Sequence, residues 1–383
     1  MLHQMTYWAA AAGVMSFASA FLLAKGFPAS QVGVLLAAGN LLSCALQPVL
    51  ADRADRARGN VLVGMVVGLT GLSMACFAAL LFLPLPRAVF GLFYLLGIFT
   101  FDAMMPLMNA ICVCCNNSGK TVNYGFCRGI GSLAFSGAAL LIGEVIAHWG
   151  ADWMLWIVLA LLTGNILITL GYPKLEKGSG EAKAAAECCS IGVFFLRYKW
   201  YCGSLLGVML LAMFHAMTEN YLIEVVRPLG GDSGSVGVAL FIATLIEMPV
   251  LLGFDRVRKH ISDHWLLKYS GLAFLLKAAL LYLAPSVTAI YGIQLLQAVS
   301  YAFLSPTQVY YANEKIAPAD MVKGQAFITA SYTLGCALGN FAGGQLLEFF
   351  SLSAMLFSGI VMAAAGTAIL FLTVDRKDGV ESL

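Results

Sequence analysis

The sequence predicts an all-α membrane protein of twelve spanning helices in two six-helix bundles, and three observations predict it. Stretches of about 20 mostly apolar residues, the length a helix needs to cross the roughly 30 Å hydrocarbon core of a bilayer, tile nearly all of the chain. Of its 383 residues 60% are hydrophobic and 11% are charged, against about 25% charged in an ordinary soluble domain. One long polar stretch, Pro173 to Trp200, parts the spans six and six.

The first six spans are expected near 5–24, 30–50, 61–83, 88–112, 123–147 and 153–172. Lys25 separates the first two, Asp52-Arg53 with Arg56 and Arg58 ends the second, and Arg87 precedes the fourth. The last six are expected near 201–225, 235–253, 265–284, 288–311, 324–348 and 352–374. Arg227 lies in the first gap of this set, Asp255, Arg256, Arg258 and Lys259 follow its second span, and Lys315 and Lys323 separate its fourth and fifth. The domains expected are therefore an N-terminal bundle 1–172, a linker 173–200 and a C-terminal bundle 201–383. Met1 leads into the first span without a basic n-region or a small-residue cleavage site, so that span is expected to stay in place as a helix.

Positive residues near span ends are retained on the cytoplasmic side. With the N-terminus inside, 17 of the 22 Lys and Arg fall on the inner face. A missed or invented span in the first half would swap every later loop and destroy that bias. Both termini are thus expected in the cytoplasm, and a bacterial inner membrane is the expected location.

The two halves echo each other. QPVLADRADR (Gln47 to Arg56) follows the second span and MPVLLGFDRVRK (Met248 to Lys259) follows the eighth. Tyr124 to Gly137 has a counterpart in Gly324 to Gly339. Many secondary transporters are built of such repeats, with the solute site near the midplane.

Twelve spans, a basic central loop and Asp-Arg after spans two and eight resemble the major facilitator superfamily over essentially the whole length. Asp52, Arg53 and Arg56 fit its cytoplasmic loop motif, while Pro48 and Asp55 replace two glycines. Gln47-Pro48, the fifth-span residues Gly125, Arg128 and Gly131, Glu247 before Pro249, and Lys277 are similar to the lactose-permease-like and phenylpropionate-permease-like branch. The resemblance implies two bundles that rock about a central site. Gln297 and Ser300 stand where lactose permeases carry their coupling His and Glu, and Asn109 and Ala110 stand where they carry a sugar-binding Glu. Lactose is therefore not the expected solute.

Asp102, Arg128, His215, Glu219, Glu247 and Lys277 are ionisable residues inside spans. An ionisable group at the centre of a membrane helix costs about 2.5–3.5 kcal/mol on insertion scales, so it usually faces the bundle interior or a wet cavity. His215 and Glu219 share a helical face beside Asn220, Glu247 and Lys277 suggest a buried ion pair, and Asp102 suggests another with Arg128. Arg128 can alternatively bind solute through its planar fork. Gln294, Gln297 and Tyr301 form a polar stripe suited to a neutral solute, although such stripes also bond helix to helix. The candidate solute-binding residues are Asp102, Asn109, Arg128, His215, Asn220, Gln294, Gln297 and Tyr301. Glu219, Glu247 and Lys277 are the candidates for proton coupling. Asp52, Arg53, Arg56, Asp255, Arg256 and Arg258 are too shallow for solute and are read as a gate. The Gly335, Gly339, Gly343 stripe is read as helix packing.

Ser118-Gly119-Lys120-Thr121 copies only the end of a Walker A loop, because Cys114 replaces the required earlier glycine. No nucleophilic triad, zinc-helix motif or dinucleotide fingerprint occurs in the sequence, so no enzyme, cofactor or metal is expected, nor a nucleic-acid partner. The ten cysteines, mostly in spans or on the inner face, are expected as thiols. The function expected is secondary transport of a sugar- or nucleoside-like solute by proton symport, by a monomer in contact with lipid. The alternatives are proton-antiport efflux of amphipathic compounds and, in another class, a receptor or lipid-modifying protein.

Overall fold

A computed structural model describes residues 1–56, 61–108, 111, 124–172, 191–317 and 320–376. In chain order the helices are α1 (Leu2–Ala11), α2 (Ala18–Ala24), α3 (Ala29–Arg56), α4 (Val61–Phe82), α5 (Arg87–Ala103), α6 (Tyr124–Trp149), α7 (Asp152–Leu170) and α8 (Ile191–Arg197). The second half holds α9 (Lys199–Asn220), α10 (Leu222–Val226), α11 (Ser233–Arg258), α12 (Asp263–Tyr282), α13 (Val287–Gln294), α14 (Tyr301–Lys315), α15 (Met321–Phe349) and α16 (Leu352–Thr373). No strand occurs among the described residues.

Among the described residues ten helices are long and apolar enough to cross a membrane, or eleven when the bent pair Leu2–Ser16 and Ala18–Ala24 counts as one span. The helix standing at the expected eleventh span, α15, is 29 residues long but falls outside that set. Gln325, Thr329, Tyr332, Asn340 and Gln345 dilute its apolar character. Part of the expected linker is helical, since α8 and the first two residues of α9 lie within 173–200.

Two compact units emerge, Met1–Glu181 with Asn220–Leu245, and Ala182–Glu219 with Ile246–Leu383. In the first, α1 packs on α6 and α7, and α5 lies against α3 and α4. Gly97 lets α5 close on α4, because a Cβ there would stand 2.9 Å from the Phe77 ring, and Ser73 Oγ donates to the Gly97 carbonyl at 2.9 Å. Tyr7 stacks on Phe101 at 4.7 Å. Gly237 rests on α6, where a Cβ would meet the Ala139 carbonyl at 2.6 Å.

In the second unit α9 meets α16 through Gly207 and Gly366, where an added Cβ would stand 2.9 and 2.8 Å from the opposite carbonyl. The glycine stripe of α15 packs on α9. A Cβ at Gly335 would lie 2.5 Å from the Met209 carbonyl, and one at Gly339 would fall on that of Met213. Chain reversals use Gly26, Gly150 and Gly230 at positive φ, and Ser286 and Ser351 accept from amides three residues on to cap α13 and α16. These contacts fix the depth at which the interior polar side chains are held.

Candidate functional site

A continuous membrane helix satisfies its own backbone, so an interrupted one is tolerated only where protein or a cavity covers the irregular segment. The interruptions here recur at the first and fourth span of each six. The first span carries a π turn at Ala12–Ser16 and bends by 47°. The fourth is broken at Met104, the seventh at Tyr221, and the tenth by a 3-10 turn over Leu295–Ala298. Asp102, Glu219 and Gln297 each lie within two residues of one of these breaks.

A cluster of buried polar side chains lies within the second unit. Lys277 on α12 has no exposed surface, and its Nζ donates to Glu219 Oε1 on α9 at 2.9 Å. The same ammonium donates to Gln297 Oε1 at 2.8 Å. Gln294, one turn earlier, is hydrogen-bonded to Glu219, while its own Oε1 has no partner among the described residues. The ion pair recorded at Lys277 is thus with Glu219, where the sequence suggested Glu247. Glu219 is the last but one residue of α9, beside the Tyr221 break, whereas Glu247 is part-exposed on α11, two residues before Pro249. Sequence depth alone does not tell which of two carboxylates a helix turns toward its neighbour.

An aromatic wall adjoins this cluster. The His215 ring stacks on Tyr301 with centroids 5.0 Å apart and 16° between planes. Tyr301 meets Tyr332 of α15 at 6.1 Å, and the Tyr332 hydroxyl is hydrogen-bonded to Tyr301 and to the Cys336 thiol. His215, Glu219, Tyr301, Tyr332 and Cys336 all keep partial exposure. Tyr332 and Cys336 were missed by sequence reasoning. Their signal was legible, because Gln325, Thr329, Tyr332, Cys336 and Asn340 recur at spacings of three and four along one helix face.

The remaining candidates are dispersed. In the first unit, Asp102 is buried, and its Oδ1 has no hydrogen-bond partner among the described residues. The Asn220 carbonyl accepts from Ser19 Oγ in that same unit. Asn109 lies outside the described residues, as do the side chains of Arg128, Asp52 and Arg56 and with them the suggested Asp102–Arg128 pair. Arg53 is exposed, and so is Arg256. Arg258 makes a two-pronged bond to Asp263, each prong 2.8 Å, and lies 3.6 Å over the Tyr310 ring. The Tyr310 hydroxyl donates to Asp255 Oδ1 at 3.5 Å. These last contacts tie α11, α12 and α14 together inside the second unit. No group of three or more His, Cys, Asp or Glu side chains positioned to hold a metal occurs among the described residues.

A net-neutral cluster with both donors and acceptors, flanked by rings, can hold an uncharged polar solute. The cation and carboxylate cancel, the amides and hydroxyls match hydroxyl groups, and the rings offer an apolar face.

Comparison with known proteins agrees with this fold. The model of a family described as the MFS_1 like family matches residues 2–358. The uncharacterized transporter YwbF of Bacillus subtilis (strain 168) is 24% identical over 370 residues, covering 91% of this chain and 86% of that protein. A maltose permease of Geobacillus stearothermophilus is 25% identical over 363 residues, with 91% and 86% covered. A putative sugar efflux transporter of Deinococcus radiodurans is 25% identical over 136 residues, 36% of this chain and 35% of its own length. Among solved structures, the nucleoside transporter NupG superposes with a TM-score of 0.76 at 14% identity, covering 97% of this chain and 96% of that one. An auto-inhibited POT family peptide transporter superposes with a TM-score of 0.72 at 13% identity, covering 100% and 98%.

Proposed function

The chain belongs to the MFS_1 like family of the major facilitator superfamily, which makes it an integral membrane transporter rather than an enzyme, and from that premise we propose that it carries a sugar- or nucleoside-like solute by alternating access coupled to proton symport. The observation that carries this reading is Lys277, buried and shared between Glu219 and Gln297. A solute with hydroxyl groups competes for the same donors and acceptors. Protonation of Glu219 removes the charge that holds Lys277 and frees the ammonium to donate to solute, so proton and solute binding favour each other. Maltose and nucleosides, the compounds that relatives are named for, are of this chemical class. The proposed setting is a bacterial inner membrane, with both termini cytoplasmic and a monomer as the working unit.

Moving one charge inward through 100 mV releases about 2.3 kcal/mol, enough for roughly 50-fold accumulation at 1.4 kcal/mol per tenfold. Proteoliposomes loaded with the full chain should therefore accumulate radiolabelled solute under an imposed gradient and lose it when the gradient is dissipated. Glu219→Gln should abolish accumulation yet keep solute exchange between equal pools. Accumulation that survives Glu219→Gln would remove Glu219 from the coupling role. Efflux by proton antiport is the second reading, favoured by the partial match to a putative sugar efflux transporter. It requires extrusion from cells carrying the gene.

A further inference from the structure

One face of α12 holds the broken tenth span at two points. Ser270 and Lys277 are seven residues apart, about two turns, so they project from the same side of their helix. Ser270 Oγ donates to the Ser300 carbonyl at 2.8 Å, and Lys277 Nζ donates to Gln297 Oε1 at 2.8 Å. Between those points the helix loses its regular bonding. The segment Leu295–Ala298 is a 3-10 turn, and Ser300 leaves the helical region with φ −89 and ψ −85. The Leu296 carbonyl takes the amides of Val299 and Ser300 as well as the Ser300 hydroxyl. Regular helix resumes at Tyr301, with the Leu304 amide on the Ser300 carbonyl at 3.0 Å.

Ser270 and Ser300 both have no exposed surface. Water therefore cannot replace the Ser270 bond without opening the helix pair, and among the described residues the Ser300 carbonyl accepts only from Ser270 Oγ and the Leu304 amide. Seen from α12, Ser300 is a fixed point, whereas Gln297 is held by an ammonium that is itself shared with Glu219. We infer that Ser270 is a positioning residue for the transport site, whose bond to the Ser300 carbonyl sets the break so that Gln297 Oε1 meets Lys277 Nζ. Its meaning for transport rests on the reading given under Proposed function, while its placement of the break does not.

The test follows hydrogen exchange in the purified full-length protein, in the wild type, Ser270→Ala, Ser270→Thr, Gln297→Ala and the Ser270→Ala/Gln297→Ala pair. Alongside it, uptake of maltose and of uridine into proteoliposomes gives half-saturation values. Ser270→Ala should speed exchange in the peptide covering 295–300 about fivefold, the equivalent of one ordinary hydrogen bond, and leave peptides of α16 unchanged. Half-saturation for the transported solute should weaken by a similar factor at unchanged maximal rate. Threonine, which keeps the hydroxyl, should restore both, and Ser270→Ala should add nothing to half-saturation once Gln297 is gone. Unchanged exchange over 295–300, failure of threonine to rescue, or independent effects of the two alanines would each overturn the inference. If the wild type carries neither solute, the exchange pattern still decides whether Ser270 sets the break, and the loss then falls on the choice of solute.

Discussion

Lys277, with no exposed surface, lies 2.9 Å from Glu219, whose side chain keeps 16% of its own. Removing one partner of a buried pair strands the other charge, at a cost of about 3–5 kcal/mol, whereas replacing both by apolar residues is often neutral. Glu219→Leu should accordingly lower stability by about 3 kcal/mol, at the small end because Glu219 is partly solvated. Glu219→Leu combined with Lys277→Met should recover most of it while remaining inactive. Thermal unfolding of the detergent-solubilised variants reads this directly. A double variant no more stable than the single one would show that the pair is held by something other than mutual neutralisation.

A second charged cluster joins the first turns of α12 to the residues just after α16. The Lys268 ammonium, hydrogen-bonded to Asp375, holds that carboxyl below its usual value of 3.8, with His264 adding to the effect. A carboxyl whose folded value is depressed stabilises the fold at every pH above its unfolded value and loses that contribution as pH falls through the folded value. The Tm gap between parent and Asp375→Asn, measured in a His264→Gln background to silence the imidazole, should stay constant from about pH 8 to about pH 5 and close below about pH 4. A gap that instead closes between pH 7 and pH 5 would contradict the assignment.

Much of this was legible in the sequence because span length and charge bias are constraints of the bilayer. They act on whole segments, and the helices α4, α6, α7, α12 and α16 follow the expected spans to within about two residues, while α3 and α11 run on past theirs, α5 stops short of its own, and α13 and α14 divide the tenth. Pairing was less legible. Glu219 and Glu247 are both carboxylates on apolar helices, and the sequence does not say which of them its helix presents to Lys277; the structure gives Glu219. The break at Leu295–Ala298 carries no proline or glycine to announce it. It is held by Ser270, a residue that composition alone would assign to helix contacts.

Two glycines with opposite surroundings test how far backbone proximity governs the second unit. A Cβ at Gly335 would lie 2.5 Å from the Met209 carbonyl, which cannot yield without moving α9, while nothing lies within 4 Å of one at Gly292. Gly335→Ala should cost about 1–3 kcal/mol through overpacking. Gly292→Ala should be neutral or stabilising by up to about 1 kcal/mol, since glycine is the poorer residue inside a helix. Equal Tm values for the two variants would mean that α15 slides on α9 without penalty.

Rings and hydroxyls in the site can be separated at Tyr301. Its ring stacks on His215, and its hydroxyl is bonded to Tyr332, so Tyr301→Phe removes only the second interaction and Tyr301→Leu removes both. If a cyclic solute packs an apolar face against this wall, Tyr301→Leu should weaken its half-saturation about fivefold, corresponding to roughly 1 kcal/mol of aromatic contact. Tyr301→Phe should shift it by less than about twofold, because the hydroxyl's partner is another side chain that can turn to the cavity. The ratio between the variants is the informative quantity, since fold damage common to both cancels in it. Equal losses in Phe and Leu would assign recognition to the hydroxyl network, and unaltered uptake in both would place the solute away from His215 and Tyr301 altogether.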